Sequence, residues 1–272
     1  MSARGELGRN GPLALAFNAL FLSFMLAPIV VVCAVAFTPD GFLSLPTNGL
    51  SLRWFRAILD YPEFIRAFRD SCWLGALSAT LSLCFAVPAS LAVARYRFPG
   101  REALLSLMMS PLMIPHVVLG IAFLRFFTLI GLSGSFGGLI ISHIIIVMPF
   151  AMRLVLAASS GVDQRLEHAA SSLGAEPFTV FRRVTLPLIL PGVVSGWVLA
   201  FINSFDEVSM TVFIASPATN TLPVRLFLYI QDNIDPLVCS VSTVLIVLTV
   251  LLMLVLDRLY GLDRLFIGSG KG

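Results

Sequence analysis

Asp206 and Glu207 stand side by side in an otherwise apolar run at 188–214. A carboxylate near the middle of a bilayer costs about 2.5 to 3.5 kcal/mol on insertion scales, so such groups face a protein interior or a watery cavity. Acids placed there can guide or bind a positively charged solute. Asn203 lies one helical turn before them, and Trp197 offers a ring face to a cation. Consecutive helical residues point about 100° apart, so the two acids do not share one role. A plainer reading stays open beside this one: a carboxylate that is protonated or paired, and only holds a bundle together.

Other reactive groups lead nowhere so definite. His116 and His143 fall in apolar runs, where a single histidine is more often a hydrogen-bonded packing residue than a ligand, and neither is assigned a role. Cys33, Cys72, Cys84 and Cys239 lack the spacing of metal ligands or of a disulfide framework and read as small packing residues. Gly131-Leu132-Ser133-Gly134 has the Gly-x-Ser-Gly form of a serine nucleophile, with His143 after it. It falls in a short glycine-rich turn, and no histidine follows His168 to act as base from a later span. The tail Gly268-Ser269-Gly270-Lys271-Gly272 lacks the first glycine and the Ser/Thr of a phosphate loop. The chain is therefore not expected to be an enzyme, to hydrolyse ATP or to hold a metal.

The elements that position these residues are membrane spans. Of 272 residues, 58% are hydrophobic and 12% charged, and the mean hydropathy is +0.95, too apolar for one soluble core. Apolar runs at 13–37, 71–94, 103–130, 138–158, 188–214 and 237–256 each reach the roughly 20 residues that cross a bilayer as a helix. The expected fold is thus an all-α membrane protein of six transmembrane helices, with both ends on one side. Arg4, Arg9, Arg95, Arg97, Arg101, Arg153, Arg165, Arg182, Arg183, Arg258, Arg264 and Lys271 fall in one set of loops. That set is cytoplasmic, because basic residues are retained on the inner face. The net charge of +3 is an orientation signal, and no basic cluster points to nucleic acid. On this reading residues 1–12 and 257–272 are cytoplasmic ends flanking a six-span membrane domain at 13–256, with an inner loop at 159–188. The first run is about twice the length of a signal-peptide core and reads as an uncleaved anchor.

Between the first two spans, Leu52, Phe55, Ile58, Leu59, Phe64, Ile65 and Phe68 repeat with helical period around a Tyr61-Pro62 break, which predicts an amphipathic helix on the outer surface. Arg95-Tyr96-Arg97-Phe98-Pro99-Gly100-Arg101 is a Pro-Gly turn whose arginines fix topology. Pro28, Pro88, Pro111, Pro115, Pro149 and Pro191 lie in or at the ends of spans and can kink them.

The inner loop carries a different pattern. Leu166, Ala169, Ala170 and Leu173 stand at i, i+3, i+4 and i+7, a small apolar stripe on a short helix. Gly174 sits where a left-handed residue ends it, and Glu176-Pro177 starts another helix with Phe178, Phe181 and Val184 on one side. Small side chains on such a helix let another surface come close.

This run resembles the signature loop of importer permeases driven by ATP-binding-cassette subunits: Glu-Ala-Ala, three residues, Gly, nine residues, an aliphatic residue, one residue, Leu-Pro. Ala169, Ala170, Gly174, Val184 and Leu186-Pro187 match it, while His168 stands at the glutamate position with Glu167 just before. Arg95-Tyr96-Arg97-Phe98-Pro99-Gly100, Met109-Ser110-Pro111, Gly196-Trp197-Val198-Leu199 and Phe205-Asp206-Glu207 look like permeases of spermidine/putrescine-type importers. The resemblance implies a type I importer permease fold in a bacterial inner membrane. It also implies a second permease subunit as a heterodimer partner, two ATPases that bind ATP and Mg, and an external substrate-binding protein. Glu167, His168, Ala169, Ala170, Leu173, Gly174, Leu186 and Pro187 would then form the helix that docks on an ATPase, and Asp206, Glu207, Asn203 and Trp197 would line the substrate pathway. A secondary transporter or channel using the acidic pair is the alternative from the residues alone.

Overall fold

A computed structural model describes residues 11–260. Arg4, Arg9, Arg264, Lys271 and the glycine-rich tail, and with them most of the two terminal segments, lie outside the described residues. Twelve α-helices run through the rest: α1 Pro12–Val35, α2 Arg53–Ala57, α3 Pro62–Arg95, α4 Arg101–Met109, α5 His116–Leu129, α6 Phe136–Ser160, α7 Arg165–Ser172, α8 Pro177–Val180, α9 Leu186–Phe205, α10 Thr211–Ile214, α11 Leu222–Asp232 and α12 Leu237–Tyr260. A π-turn, Phe181–Thr185, joins α8 to α9.

All six apolar runs are helical, in three forms. Four helical stretches are long and apolar enough to cross a membrane as single pieces: Leu13–Val35, Pro62–Arg95, Phe136–Ser160 and Pro177–Phe205. The third run is broken, with Arg101–Met113 and His116–Leu129 meeting at 104°. Its cause is two Xaa-Pro steps: Pro111 opens a 3₁₀ turn at Ser110–Met113, and Ile114, pushed out of the helical region by Pro115, is extended at φ −99°, ψ 129°. In α12 the apolar part is shorter, Leu237–Leu251.

The segment at 50–70 is corrected. Arg53–Ala57 and a 3₁₀ turn at Ile58–Asp60 form one short element, and Pro62 then opens α3 at a first-turn position, so Phe64, Ile65 and Phe68 belong to the long span. There is no single amphipathic helix across Tyr61-Pro62.

The chain divides into two compact units. One holds residues 11–62 and 229–254 of the described chain. There α1 is apolar all round, only 6% of its span window being buried, so its hydrocarbon surface is suited to lipid. Thr38, Asp40 and Ser44 hydrogen-bond one another after it, and Trp54 Nε1 donates to the Asp40 carbonyl at 3.1 Å. Ahead of α12, Asp235 accepts from Tyr229 Oη at 2.8 Å and from the Leu237 amide at 3.0 Å.

The other unit, residues 63–228 and 255–260 of the described chain, is built around α6 and α9. Ile146, Val147, Ala151, Met152 and Val155 of α6 are buried with Ile189 and Ala200 of α9, and Leu74, Leu83 and Val93 of α3 join them. Small polar residues fill the same seam: Ser71, Ser78, Ser82 and Ser90 of α3 are all buried. Such residues let helices approach closely in a membrane, where no hydrophobic force separates helix from lipid.

Candidate functional site

Two places in this second unit gather polar side chains. The first is the loop between α6 and α9. α7 ends as its sequence predicts: Gly174 is left-handed at φ +84°, its amide donates to the Ser171 carbonyl at 3.0 Å, and the Ala175 amide reaches back to Ala170 at 3.2 Å. This double closure satisfies orphan carbonyls at the helix end. Pro177 then opens α8.

The stripe read from the sequence is turned outward. Leu166 is 50% exposed, Leu173 90% and Phe178 70%, and His168 and Ala169 are exposed too, while Ala170 is half-buried. Pro187 is exposed and Leu186 half-buried against the core at the start of α9. Glu167 faces the other way. Its carboxylate accepts Arg95 Nη2 at 2.7 Å and Arg95 Nε at 3.0 Å, and Thr185 Oγ1 donates to it at 2.8 Å. Arg95 Nη1 also donates to the Ser159 carbonyl at 2.8 Å. One guanidinium therefore joins the end of α3, the end of α6 and α7, and the carboxylate carries the link on to the π-turn before α9. Burial pushes the Glu167 carboxyl up, but hydrogen bonds from Arg95 and Thr185 and the charges of Arg95 and His168 outweigh it and hold the group below the usual carboxylate range.

Arg95 therefore does more than fix topology. Its partner lies 72 residues away, and local pattern gives no sign of it. Glu167 and His168 meet different surroundings, the first tied inward and the second exposed, as expected for neighbours on a helix.

The second place is the turn after α9. The apolar run at 188–214 is not one helix: α9 stops at Phe205, Asp206 caps it, and α10 starts only at Thr211. Asp206 and Glu207 thus lie beyond the fifth helix and not inside it. The physical reason is the need of a buried carboxylate for partners. Glu207, 7% exposed, accepts the Met210 amide on Oε1 at 2.6 Å and His116 Nδ1 on Oε2 at 2.6 Å. A continuous helix would have used that amide for its own ladder.

Asp206 is exposed and has no side-chain partner among the described residues. Asn203 spends its amide on the Leu199 carbonyl of its own helix at 2.8 Å. Trp197 is not brought to the acids: it lies about 14 Å back along the helix axis at 1.5 Å per residue. Its Nε1 donates to Thr80 Oγ1 at 3.0 Å, and its ring stacks on Phe201 at 5.4 Å.

His116, to which the sequence assigns no role, opens α5 just past the 104° break, so the interrupted third run meets the interrupted fifth at this hydrogen bond. Two Xaa-Pro steps followed by a histidine in an apolar run were the available signal. His143 is fully buried, with Nδ1 2.8 Å from Ser204 Oγ and Nε2 3.0 Å from Thr211 Oγ1. Among the described residues no cluster of His, Cys, Asp or Glu could hold a metal ion.

Comparison with known proteins adds the following. Residues 86–262 match the family of binding-protein-dependent transport system inner membrane components. The chain is 30% identical over 234 residues to the spermidine/putrescine transport system permease protein PotC of Haemophilus influenzae, covering 86% of this chain and 91% of that one. It is 27% identical over 244 residues to the putrescine transport system permease protein PotI of Escherichia coli K12, covering 87% and 86%. Against the molybdenum transport system permease protein ModB of Mycobacterium bovis it is 34% identical over 214 residues, covering 72% and 80%. In fold it is similar to a chain of a bacterial ABC transporter that imports the acidic polysaccharide alginate, with a TM-score of 0.74, 15% identity, and 92% and 96% of the two chains covered.

Proposed function

The chain belongs to the family of binding-protein-dependent transport system inner membrane components, and on that premise we propose that it is one half of an ATP-driven import pathway for polyamines or similar small cationic amines. Dependence on a binding protein decides against a self-contained secondary transporter or channel. The partners in this reading are a second, distinct permease subunit, two ATPases that bind ATP and Mg, and an external protein that delivers the solute. Residues 13–256 form the permease domain in a bacterial inner membrane. Both termini and the loop at 159–188 are cytoplasmic.

One observation carries the coupling part: α7 presents Leu166, His168, Ala169 and Leu173 outward while Glu167 roots it through Arg95 and Thr185 to the ends of α3 and α6 and the start of α9. An exposed helix so rooted can take a push from an ATPase and pass it to three spans at once. Leu173 and Gly174 end it, and Leu186 and Pro187 receive the push at the foot of α9. His168 meets the ATPase where relatives of this pattern carry a glutamate.

The amine cargo is supported by likeness to PotC and PotI over most of the chain and by the unpaired Asp206 at the broken end of α9. Asn203 lines the path beside Asp206, and Trp197 lies further along it.

Gentle purification of the tagged chain from its native host, with mass spectrometry of what stays bound, tests the assembly. The expected result is an ATP-binding-cassette subunit and a second permease. Recovery of this chain alone, still able to move solute, sinks the reading. Uptake of labelled putrescine and spermidine by the reconstituted assembly, driven by ATP and its binding protein, then tests the cargo.

A further inference from the structure

Glu207 is the buried member of the acidic pair, and each of its oxygens is engaged once. Oε1 takes the Met210 amide and Oε2 takes His116 Nδ1, each at 2.6 Å. The two partners differ in kind. The amide belongs to the turn that Glu207 itself closes. The imidazole comes from another span, gives a single hydrogen bond, and keeps 35% of its surface open while the carboxylate keeps 7%. A protonated imidazole and an alkylammonium are both N–H donors of one positive charge and satisfy a carboxylate oxygen in the same way.

The backbone fixes the ring in that position. One turn beyond His116, a Cβ on Gly120 would fall 2.9 Å from the Met210 carbonyl oxygen and 3.1 Å from its Cα, so α5 lies directly on the chain at Met210. The two sides of the pair are thus held together by main-chain packing, and the His116–Glu207 bond itself can be exchanged without dismantling the contact. His143, in contrast, is fully buried between two hydroxyls and has no carboxylate to release.

We infer that His116 is a resident stand-in for a cargo ammonium on Glu207 and thereby a specificity-determining residue. With the pair ionised, Asp206, Glu207 and His116 together carry one negative charge where two acids alone would carry two. The count sets how much positive charge the passing solute can lay against this turn, because a charge left unpaired in a low-dielectric place disfavours the wrong partner. The inference rests on reading the chain as an amine permease with this turn on the solute path.

The test uses the assembled importer in liposomes with saturating, cargo-loaded binding protein, and reads the ratio of maximal uptake of spermidine, with three charges, to putrescine, with two. His116→Gln exposes the second negative charge and is expected to move that ratio at least about threefold toward spermidine. Glu207→Gln, which removes one of the two acids, moves it toward putrescine. His116→Lys puts a cation back and returns the ratio to the wild-type value. A merely structural histidine lowers both rates in proportion, so an unchanged ratio in the Gln variants, or a Lys variant that behaves like His116→Gln, overturns the inference. Wild-type importer that moves neither amine is a different result and refutes the amine reading beneath it.

Discussion

Glu167 and Glu207 are both paired across helices, and the pairs are built differently. Arg95 meets Glu167 with two nitrogens of a planar fork and turns a third to the Ser159 carbonyl, while Thr185 closes the far side. His116 meets Glu207 with one nitrogen, and the other oxygen is occupied by the protein's own turn. A fork fixes both distance and angle and splices elements that must move together. A single bond fixes only proximity and can be handed to another donor. On the proposed reading, the first pair belongs to a part that transmits motion and the second to a part that meets passing solute.

Arg95→Ala removes the fork altogether. Removing one partner of a buried pair costs about 3–5 kcal/mol, and with Arg95 at 9% and Glu167 at 19% side-chain exposure the lower end applies. Coupled uptake is expected to collapse, with a lowered melting temperature of the purified assembly. A variant that melts and transports like wild type would reduce the fork to decoration.

Glu207→Gln and Asp206→Asn sharpen the comparison next. The first weakens a charge-assisted bond and should destabilise by about 1–3 kcal/mol. The second touches an exposed group and should stay within about 0.5 kcal/mol in stability while lowering amine uptake. Full transport by both variants, with assembly intact, would remove the acids from the pathway.

Gly174→Val acts only through backbone strain, since nothing lies within 4 Å of the added Cβ and φ is +84°. The left-handed conformation costs a β-branched residue on the order of 1–2 kcal/mol. The expected outcome is normal insertion with reduced stimulation of ATPase activity by loaded binding protein; unaltered stimulation would mean α7 does not need its end.

The smallest effect is in pH. Glu167 is held below its ordinary value of 4.5, so its pairing contributes fully above that pH and is lost only as pH falls through the lower native value. Coupling should therefore be flat from neutral to mildly acid pH, measured as amine moved per ATP consumed. A loss near pH 6 would assign coupling to another group.

Much of this was legible in the residues because it depends on local pattern. Apolar length gave the helical runs, the i, i+3, i+4, i+7 stripe gave α7, and a glycine at its end gave the left-handed closure. What escaped depends on contacts distant in sequence. Arg95 looked like one more topogenic arginine, since only folding brings it to Glu167. The run at 188–214 looked continuous, because hydropathy cannot register that Glu207 gains more from a turn amide and His116 than from staying helical. The 104° break was half visible in Pro111 and Pro115, but not its consequence, that an interrupted span delivers a histidine to an interrupted neighbour.

The bareness of α1 bears on the order in which the molecule can be made. Phe17, Leu20 and Phe24 are 67–72% exposed, and hardly any of the helix is covered by its own chain. Its apolar length suits it to enter the bilayer early, while its C-terminal end later meets α12, where Ser240 Oγ donates to the Ala36 carbonyl at 3.3 Å. Later segments do not have that freedom: His143 and Glu207 have polar atoms that are satisfied only by residues on other helices. Assembly thus has two stages, early anchoring by a mostly bare segment and late closure by segments that stay incomplete until their partners have arrived.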